Sequence, residues 1–348
     1  MILRIAMVGF GNVGQEFARL ILAKRDWLLR TKGLDLEVLT ISTRSKGSLI
    51  SKKALDLDRC LRLIKEEGTL VGYGPEETKL SASEILVKCD ADMMIELSPL
   101  NIESGQPAIG HIRIALENGM EVITANKGPV AFAYEDLHNL ARSRGVHFRF
   151  EGTVMDGTPI FSLVEKTLPG CELLGLSGIL NSTSNFVLTE MASGRTMDEA
   201  VRIAQQRGFA ESDPSLDIDG WDAAAKIAAL ANVLMEARTN PKEVNRQGIG
   251  GVGQVDIEKA ARLKKKIKLI ASAKRAGDKV DLSVKPELIG IESPFWSVDG
   301  TSSALTIRTD LMGDITIVET NPVVTQTAYA VFSDLLLVVE SVRSGTIC

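Results

Sequence analysis

The sequence has 348 residues, a length that predicts two domains, each large enough for its own core. Its net charge of −5 gives no reason to expect nucleic acid or an anionic membrane as a partner, and no apolar run reaches the roughly 18 residues of a membrane span. The cysteines are far apart and lack CxxC spacing, so we expect reduced packing residues of a cytoplasmic protein rather than metal ligands or a disulfide frame. They are Cys60, Cys89, Cys171 and Cys348.

Strand and helix signals alternate over residues 1–150, which predicts a Rossmann-type, doubly wound α/β domain that binds a dinucleotide. The candidate strands are 2–8, 35–42, 92–97, 121–124 and 146–151. The candidate helices are 12–24, 81–88, 107–118 and 134–143.

The pattern changes after residue 150, which predicts an α+β domain for substrate binding and dimerisation over residues 151–310. Its candidate helices are 159–166, 184–192, 197–207, 220–236 and 256–275, and its candidate strands are 172–180, 279–285 and 302–309. The basic run 262–268 is interpreted as a solvated face of the 256–275 helix. A last apolar helix near 325–340 is expected in a C-terminal segment, 311–348, that returns to the first domain.

A glycine pattern joins the first strand to the first helix. Gly9 permits a tight turn, Gly11 lets the backbone approach a pyrophosphate, and Gly14 allows the helix to pack closely on the strand. The helix then begins at Asn12 and Val13, and its N-terminus offers free N–H groups to the phosphates. This context favours a dinucleotide site over a structural glycine turn of some other α/β protein.

The end of the second strand indicates which dinucleotide binds. NAD-binding chains usually carry a carboxylate there to hold the ribose diol, whereas this chain has Ser42, Thr43 and Arg44. Hydroxyls and an arginine suit a 2′-phosphate, so NADP is favoured and NAD is the second option. The alternative is that these cations only solvate the loop.

An acidic stretch from Glu211 to Asp222 precedes an apolar helix that carries Lys226. Asp222 and Lys226 are four residues apart, so their side chains meet on a helix. A lysine held in this way can pass a proton to a reacting oxygen while carboxylates bind a cationic group of a substrate. The alternative is an ordinary helix N-terminus with acids on its dipole and one structural ion pair.

Four motifs together resemble homoserine dehydrogenase over nearly the whole chain, in its short form without an ACT regulatory domain. They are 9–14 (GFGNVG), 124–129 (TANKGP), 178–186 (GILNSTSNF) and 209–214 (FAESDP) continuing through Asp222 and Lys226. The resemblance implies NAD(P)-dependent interconversion of L-aspartate 4-semialdehyde and L-homoserine, in the biosynthesis of threonine and methionine. It also implies a homodimer formed through the second domain, with a small-molecule substrate.

The same resemblance implies roles for individual residues. Lys226 would transfer the proton, and Lys127 would be a second lysine lining the reaction site. The residues implied to bind the substrate are Glu211, Asp217, Asp222 and Thr183. The full predicted set of cofactor contacts is Gly9, Gly11, Asn12, Val13, Gly14, Thr43, Arg44, Ser98, Asn126 and Lys127.

The segment 151–158 is similar to the family's monovalent-cation site. By that similarity, the Glu151 carboxylate and the backbone carbonyls of Val154, Asp156 and Thr158 would coordinate sodium, an ion that suits hard oxygen ligands. A plain strand-to-helix turn is the alternative reading of these residues.

Two segments depart from the family pattern. A glycine-rich loop usually borders the cofactor, but this chain has Glu319 to Ala328 without those glycines and with Pro322, which lacks an N–H donor. A motif that usually ends in Asn-Ala is Ser303-Ala304 here. These departures leave two alternatives open: a non-catalytic NADP-binding paralogue, and a dehydrogenase for a related amino acid. A phosphorylating aldehyde dehydrogenase needs a thiolate at the carbonyl, and no cysteine lies near the acidic stretch.

Overall fold

The computed structural model describes residues 1–345, so Cys348 lies outside the described residues. The chain divides into two compact units. The first comprises residues 1–159 and the segment from Val323 onward, and the second comprises Ile160–Pro322. Within residues 1–345 no helix combines the length and apolar character needed to cross a membrane.

The first unit is a seven-stranded sheet in the order β4-β3-β2-β1-β5-β6-β7. Its strands are β1 (Ile2–Val8), β2 (Asp35–Ser42), β3 (Ser48–Ile50), β4 (Glu77–Thr78), β5 (Met93–Glu96), β6 (Glu121–Thr124) and β7 (Phe148–Arg149). β1 pairs in parallel with both β2 and β5, and β6 and β7 continue the parallel arrangement. The order reverses between β1 and β5, which is where doubly wound sheets bind dinucleotides. The predicted Rossmann-type sheet is confirmed.

The helices of the first unit are α1 (Asn12–Trp27), α2 (Leu57–Glu67), α3 (Ala82–Lys88), α4 (Ala108–Glu117), α5 (Lys127–Arg144) and α12 (Val324–Ser344). The sequence analysis missed α2, although Asp56 caps its start and its buried positions, which include Cys60, recur at helical spacing. The expected start of α5 at residue 134 was wrong because Ala133 has non-helical backbone angles inside it, and only the part beyond this kink was recognised.

The second unit is a six-stranded sheet in the order β13-β12-β8-β10-β11-β9. Its strands are β8 (Leu173–Ile179), β9 (Asn245–Arg246), β10 (Lys266–Ala276), β11 (Lys279–Ile289), β12 (Ser303–Thr309) and β13 (Gly313–Glu319). Its helices are α6 (Ile160–Thr167), α7 (Ser182–Ala192), α8 (Met197–Gln206), α9 (Ser215–Ile218), α10 (Trp221–Met235) and α11 (Gln254–Arg262). β13 pairs with β12 over its full length, so residues 313–319 belong to this sheet rather than to the C-terminal segment.

The predicted helix 256–275 was wrong in its second half. α11 ends at Arg262, the chain reverses at Lys264 with a φ of 57°, and residues 266–276 form the central strand β10. Residues 268–273 are all buried, as expected for a central strand that is covered on both faces and lies between β8 and β11. Lys268 is therefore buried, with 1% of the residue exposed, and does not lie on a solvated helix face.

Helix α12 packs against α1 in the core of the first unit. Its inward residues, such as Val331, Leu335 and Val338, are buried in one cluster with Phe17 and Ile21 of α1. An apolar stripe at helical spacing must cover another apolar surface, and α1 provides it. The returning C-terminal helix thus completes the dinucleotide-binding unit.

Candidate active site and cofactor site

The glycine turn between β1 and α1 has the geometry that its sequence predicts. Gly9 has a φ of 104°, and a Cβ there would lie 2.5 Å from the backbone of Leu97. A Cβ on Gly14 would lie 2.7 Å from the Gly9 carbonyl oxygen, so close packing of helix on strand requires glycine there. A Cβ on Gly11 would meet no atom within 4 Å, which leaves its backbone open to a ligand. All three positions fit the cradle of a pyrophosphate.

The loop after β2 is built around Thr43. Its hydroxyl donates to the carbonyl oxygen of Gly47 at 2.7 Å and accepts from the Lys46 amide at 2.8 Å. Arg44, at the tip of this loop, is exposed. The hydroxyl of Thr43 therefore shapes the loop that presents Arg44 and Lys46, and no carboxylate stands among residues 42–46.

Polar side chains meet where β5 and β6 end. The hydroxyl of Ser98 and that of Thr124 both donate to the buried carboxylate of Glu96, and Asn126 donates to Ser98 Oγ at 3.4 Å. Asn126 also caps α5, because its Oδ1 accepts from the Gly128 amide at 2.9 Å, and Lys127 is the first residue of that helix. The predicted cofactor residues Ser98, Asn126 and Lys127 thus share the carboxyl edge of the sheet.

Glu96 is a functional candidate that the sequence analysis missed. Burial is the main cause that raises the pKa of this carboxyl group to about 7, against hydrogen bonds from Ser98, Thr124 and Asn126 that lower it. Its only sequence signal was a carboxylate at the end of an apolar strand, which does not distinguish a buried residue from an exposed one.

The second unit brings together a lysine, two carboxylates and an amide. Lys226 Nζ lies 3.1 Å from Asp222 Oδ2, as the four-residue spacing predicted, and donates to the carbonyl oxygen of Leu180 at 2.7 Å. Asn181 Nδ2 donates to Asp217 Oδ1 at 2.6 Å and to Asp222 Oδ2 at 3.0 Å. The predicted ion pair on α10 is confirmed, with both side chains about 15% exposed.

Asn181 links this cluster to helix α7. Its Oδ1 accepts from the Ser184 amide at 2.7 Å, so one side chain caps α7 and binds both carboxylates. Asn181 belongs to the motif 178–186, but its residue type and position alone indicate no role for it in the cluster. An Asn before a helix is a cap signal, whereas contact with residues 36 and 41 positions away is visible only in the fold.

Asp217 has a carboxyl group whose pKa is raised above its ordinary value. Its burial raises the pKa, and the neighbouring Asp222 raises it further, while Asn181, Thr183 and Lys226 act in the opposite direction. Thr183 also donates to the carbonyl oxygen of Phe209 at 3.3 Å. Glu211 is exposed, and the hydrogen bonds that join the other members of this cluster do not include its side chain.

The loop 151–158, where the sequence suggested sodium, is held by α12. Asp334 of α12 accepts from the Glu151 amide at 2.8 Å, and Thr327 donates to Asp156 Oδ1 at 2.7 Å. Glu151 is buried, with 5% exposed. Within residues 1–345 no group of three or more His, Cys, Asp or Glu side chains is placed to hold a metal ion.

The segment without the usual glycines is ordered by other means. Asn321 adopts a φ of 46°, a conformation that glycine normally supplies and that Asn tolerates, and its amide donates to Ser302 Oγ at 3.3 Å. In the first unit, the Val323 amide donates to Gln326 Oε1 at 2.7 Å and so begins α12. Side-chain hydrogen bonds therefore replace glycine flexibility on both sides of Pro322.

Comparison with known proteins agrees with this architecture. The family model described as "Homoserine dehydrogenase, NAD binding domain" matches residues 9–151, and that described as "Homoserine dehydrogenase" matches residues 159–336. The chain is 37% identical to an "NAD(+)-dependent homoserine dehydrogenase" of Pseudomonas canavaninivorans over 97% of this chain and 96% of the relative. It is 35% identical to a homoserine dehydrogenase of Methanocaldococcus jannaschii over 97% of this chain and 99% of the relative.

Solved structures give the same result. A hyperthermophilic archaeal homoserine dehydrogenase in complex with NADPH is 30% identical, with a TM-score of 0.84 over 98% of each chain. A homoserine dehydrogenase from Thiobacillus denitrificans is 27% identical, with a TM-score of 0.83 over 99% of this chain and 74% of that one. With two family models covering both units and relatives above 30% identity along nearly its full length, the chain belongs to the homoserine dehydrogenase family.

Proposed function

We propose that this protein catalyses the NAD(P)-dependent interconversion of L-aspartate 4-semialdehyde and L-homoserine. The observation that carries the proposal is the cluster of Asn181, Asp217, Asp222 and Lys226 in a chain whose other unit has the dinucleotide turn. A non-catalytic paralogue needs no part-buried ion pair and paired carboxylates of this kind, so the intact cluster favours an enzyme.

Lys226 is the proton-transfer residue in this proposal. Reduction of an aldehyde delivers hydride to carbon and leaves an alkoxide oxygen, which needs a cation and a proton close by. Asp222 and the Leu180 carbonyl fix the ammonium group of Lys226 from two directions, which limits the rotamers that it can adopt. Lys127, at the start of α5, is the second lysine of the reaction site.

In this proposal the carboxylates bind the amino group of the substrate. Asp217 and Asp222 lie together on Asn181, and a substrate ammonium group would relieve their mutual repulsion. Thr183 is the neighbouring hydroxyl group, and Glu211 completes the predicted set from its exposed position in the preceding loop. Fixing the ammonium group at one end orients the aldehyde at the other.

The cofactor preference proposed is NADP over NAD. The exposed Arg44 and the half-buried Lys46, on a loop without a carboxylate, favour a 2′-phosphate. A sodium ion on the Glu151 carboxylate and the carbonyls of Val154, Asp156 and Thr158 is a further prediction. The sodium site is tested by measuring the melting temperature of the protein in sodium chloride and in choline chloride. Equal melting temperatures in the two salts would exclude the site.

We propose that the protein is a cytoplasmic homodimer, because it belongs to this family. Light scattering on the purified protein at micromolar concentration tests the assembly. A monomer would contradict it.

The decisive experiment for the function follows nicotinamide absorbance with NADPH and aspartate semialdehyde. Succinate semialdehyde is the matched control, because it has the same aldehyde and carboxylate but lacks the amino group that Asp217 and Asp222 would bind. We expect turnover with the first compound and little with the second. NADPH binding without turnover on any amino-acid semialdehyde would instead select the non-catalytic alternative, and turnover on a different amino-acid aldehyde would select the related dehydrogenase.

A further inference from the structure

The buried carboxyl group of Glu96 lies directly behind the proposed cofactor contacts of the first unit. It has no solvent exposure, and it accepts hydrogen bonds from the Ser98 hydroxyl, from the Ser98 amide at 3.1 Å and from Thr124 Oγ1 at 3.3 Å. Thr124 Oγ1 in turn accepts from the Asn126 amide at 2.9 Å. One carboxyl group therefore fixes both Ser98 and the start of α5.

The general geometry of doubly wound sheets assigns this group to the nicotinamide half of the dinucleotide site. In a doubly wound sheet the adenosine ribose is recognised at the end of the second strand, and the other half of the dinucleotide lies across the switch point. Here that opposite half is formed by the ends of β5 and β6, which are Glu96 and Thr124 themselves. The oxidised nicotinamide ring carries a positive charge and the reduced ring does not, so a charge on Glu96 distinguishes the two forms.

The surroundings of Glu96 are polar but uncharged. The residues paired with it in the sheet are Val8 of β1 and Thr124 of β6, and the loop and the helix start contribute Ser98 and Asn126. The charged residues on the paired strands are Arg4 near the far end of β1 and Glu121 at the far end of β6. Helix α4, which packs on β5 and β6, and helix α5 carry further titratable or charged groups: His111, Arg113, Glu117, Lys127, Glu135, Asp136, His138, Arg142 and Arg144.

We propose that Glu96 is a positioning residue that binds a proton and thereby makes the preference for oxidised over reduced nicotinamide cofactor depend on pH. When ionised, it accepts a hydrogen bond from the Ser98 hydroxyl, so that Ser98 can only accept from the cofactor, and it places a negative charge behind the nicotinamide. When protonated, it donates to Ser98 Oγ, and the Ser98 hydroxyl hydrogen turns toward the cofactor. The proposal rests on cofactor binding at this site, as the proposed function does.

The sign of the effect follows from linkage. Ionised Glu96 favours the positively charged oxidised cofactor, so the ratio of the Kd for NADPH to the Kd for NADP⁺ should rise with pH. Burial raises the pKa of Glu96 to about 7 in the protein without cofactor. The ratio rises between the pKa of Glu96 in the NADP⁺ complex and its pKa in the NADPH complex. The positive ring lowers the first of these, so the rise should lie at and just below the pKa of Glu96 in the protein without cofactor. A change on the order of tenfold is expected for one charge in a protein of effective dielectric constant about 20. The 2′-phosphate and remote groups titrate alike with both cofactors and cancel in the ratio.

The experiment is equilibrium titration of both cofactors between pH 5.5 and about 8.5, bracketing that value. Glu96→Gln removes the titration with little change in shape and should give a flat ratio. Glu121→Gln, at the opposite end of the neighbouring strand, is the matched control and should keep the wild-type rise. Ser98→Ala removes the hydroxyl donor that stabilises the ionised form, so the midpoint should move to higher pH, and this variant tests the idea even if the Gln variant fails to fold.

A flat ratio in the wild type, or a wild-type rise in Glu96→Gln, would overturn the proposal. An unmoved midpoint in Ser98→Ala would also overturn it, because Glu96 would then not act through Ser98. Cofactor binding is measured without substrate, so a protein that shows the pH effect but no turnover retains this inference and loses only the proposed function.

Discussion

Replacing Lys268 by Met should destabilise the second unit and weaken substrate binding. Lys268 Nζ donates to Asn185 Oδ1 at 2.9 Å, to the Val298 carbonyl oxygen at 2.6 Å and to Asp299 Oδ1 at 2.8 Å. Asn185 stands on α7, the helix that also carries Thr183 and that Asn181 caps. Lys268 therefore ties the central strand β10 to helix α7, which carries part of the proposed substrate site.

The magnitude follows from what each partner loses. Removing one member of a buried ion pair costs about 3–5 kcal/mol when the other charge is left uncompensated. Here Asp299 is 42% exposed and keeps Lys266 at 2.6 Å, and the Val298 carbonyl still accepts from Asn185 Nδ2 at 3.1 Å. The main loss is the charged donor to Asn185 Oδ1, about 1–3 kcal/mol. The net loss of stability is expected in the lower part of this range, about 1–2 kcal/mol, because Met also removes an ammonium group whose burial lowers its pKa and costs free energy in the folded state.

Urea unfolding followed by tryptophan fluorescence measures this loss, because Trp221 and Trp296 both lie in the second unit. Lys265→Met, at the exposed neighbouring position, is the matched control and should change the free energy of unfolding by no more than about 0.5 kcal/mol. The KM for homoserine should rise in the Lys268 variant, while the Kd for NADPH should not change. A Lys268 variant as stable as the control would show that these three contacts contribute little, and the reasoning would be wrong.

Four further outcomes are expected. Lys226→Ala should lower the rate of the chemical step by roughly 10²–10⁴ with cofactor binding nearly unchanged, and a variant that keeps most of its single-turnover rate would make Lys226 structural. Arg44→Asp should raise the Kd for NADP more than that for NAD, because a carboxylate would repel the 2′-phosphate; equal losses would place phosphate recognition elsewhere. Because burial and Asp222 raise the pKa of Asp217, the KM for homoserine should increase as pH falls and this carboxylate takes up a proton, and Asp217→Asn should abolish that dependence. Finally, the raised pKa of Glu96 means that the wild type loses stability as pH rises from about 4.5 to about 7. Between pH 5 and pH 8, the free energy of unfolding of Glu96→Gln should therefore gain up to about 3 kcal/mol relative to that of the wild type. A difference between the two proteins that stays the same at both pH values in urea unfolding would contradict the buried ionisation.

The sequence predicted those parts of the two sites whose residues are close together along the chain. The turn of Gly9 and Gly14 needs only a strand, a tight reversal and a helix, all within the first 27 residues. The pair of Asp222 and Lys226 needs only one turn of helix. Periodicity of apolar residues likewise predicted α12, since a helix with one apolar stripe must cover a core.

Periodicity failed where burial depends on distant partners. The run after Lys264 contains lysines at 265, 266 and 268 and was interpreted as a solvated helix, yet β8 and β11 enclose it as a central strand. Lys268 can be buried there only because the loop 298–299 and Asn185 satisfy its ammonium group. No pattern within ten residues of Lys268 contains that information.

The sequence by itself determined the dinucleotide turn, the ion pair on α10 and the family, because each rests on residue types at fixed short spacings. Tertiary structure alone decided that Asn181 joins both carboxylates, that Asp334 holds the loop at Glu151, and that Glu96 lies buried behind Ser98. The physical reason is that pKa values and hydrogen-bond partners depend on desolvation and on atoms that approach across the sheet, and those approaches exist only after the chain has folded.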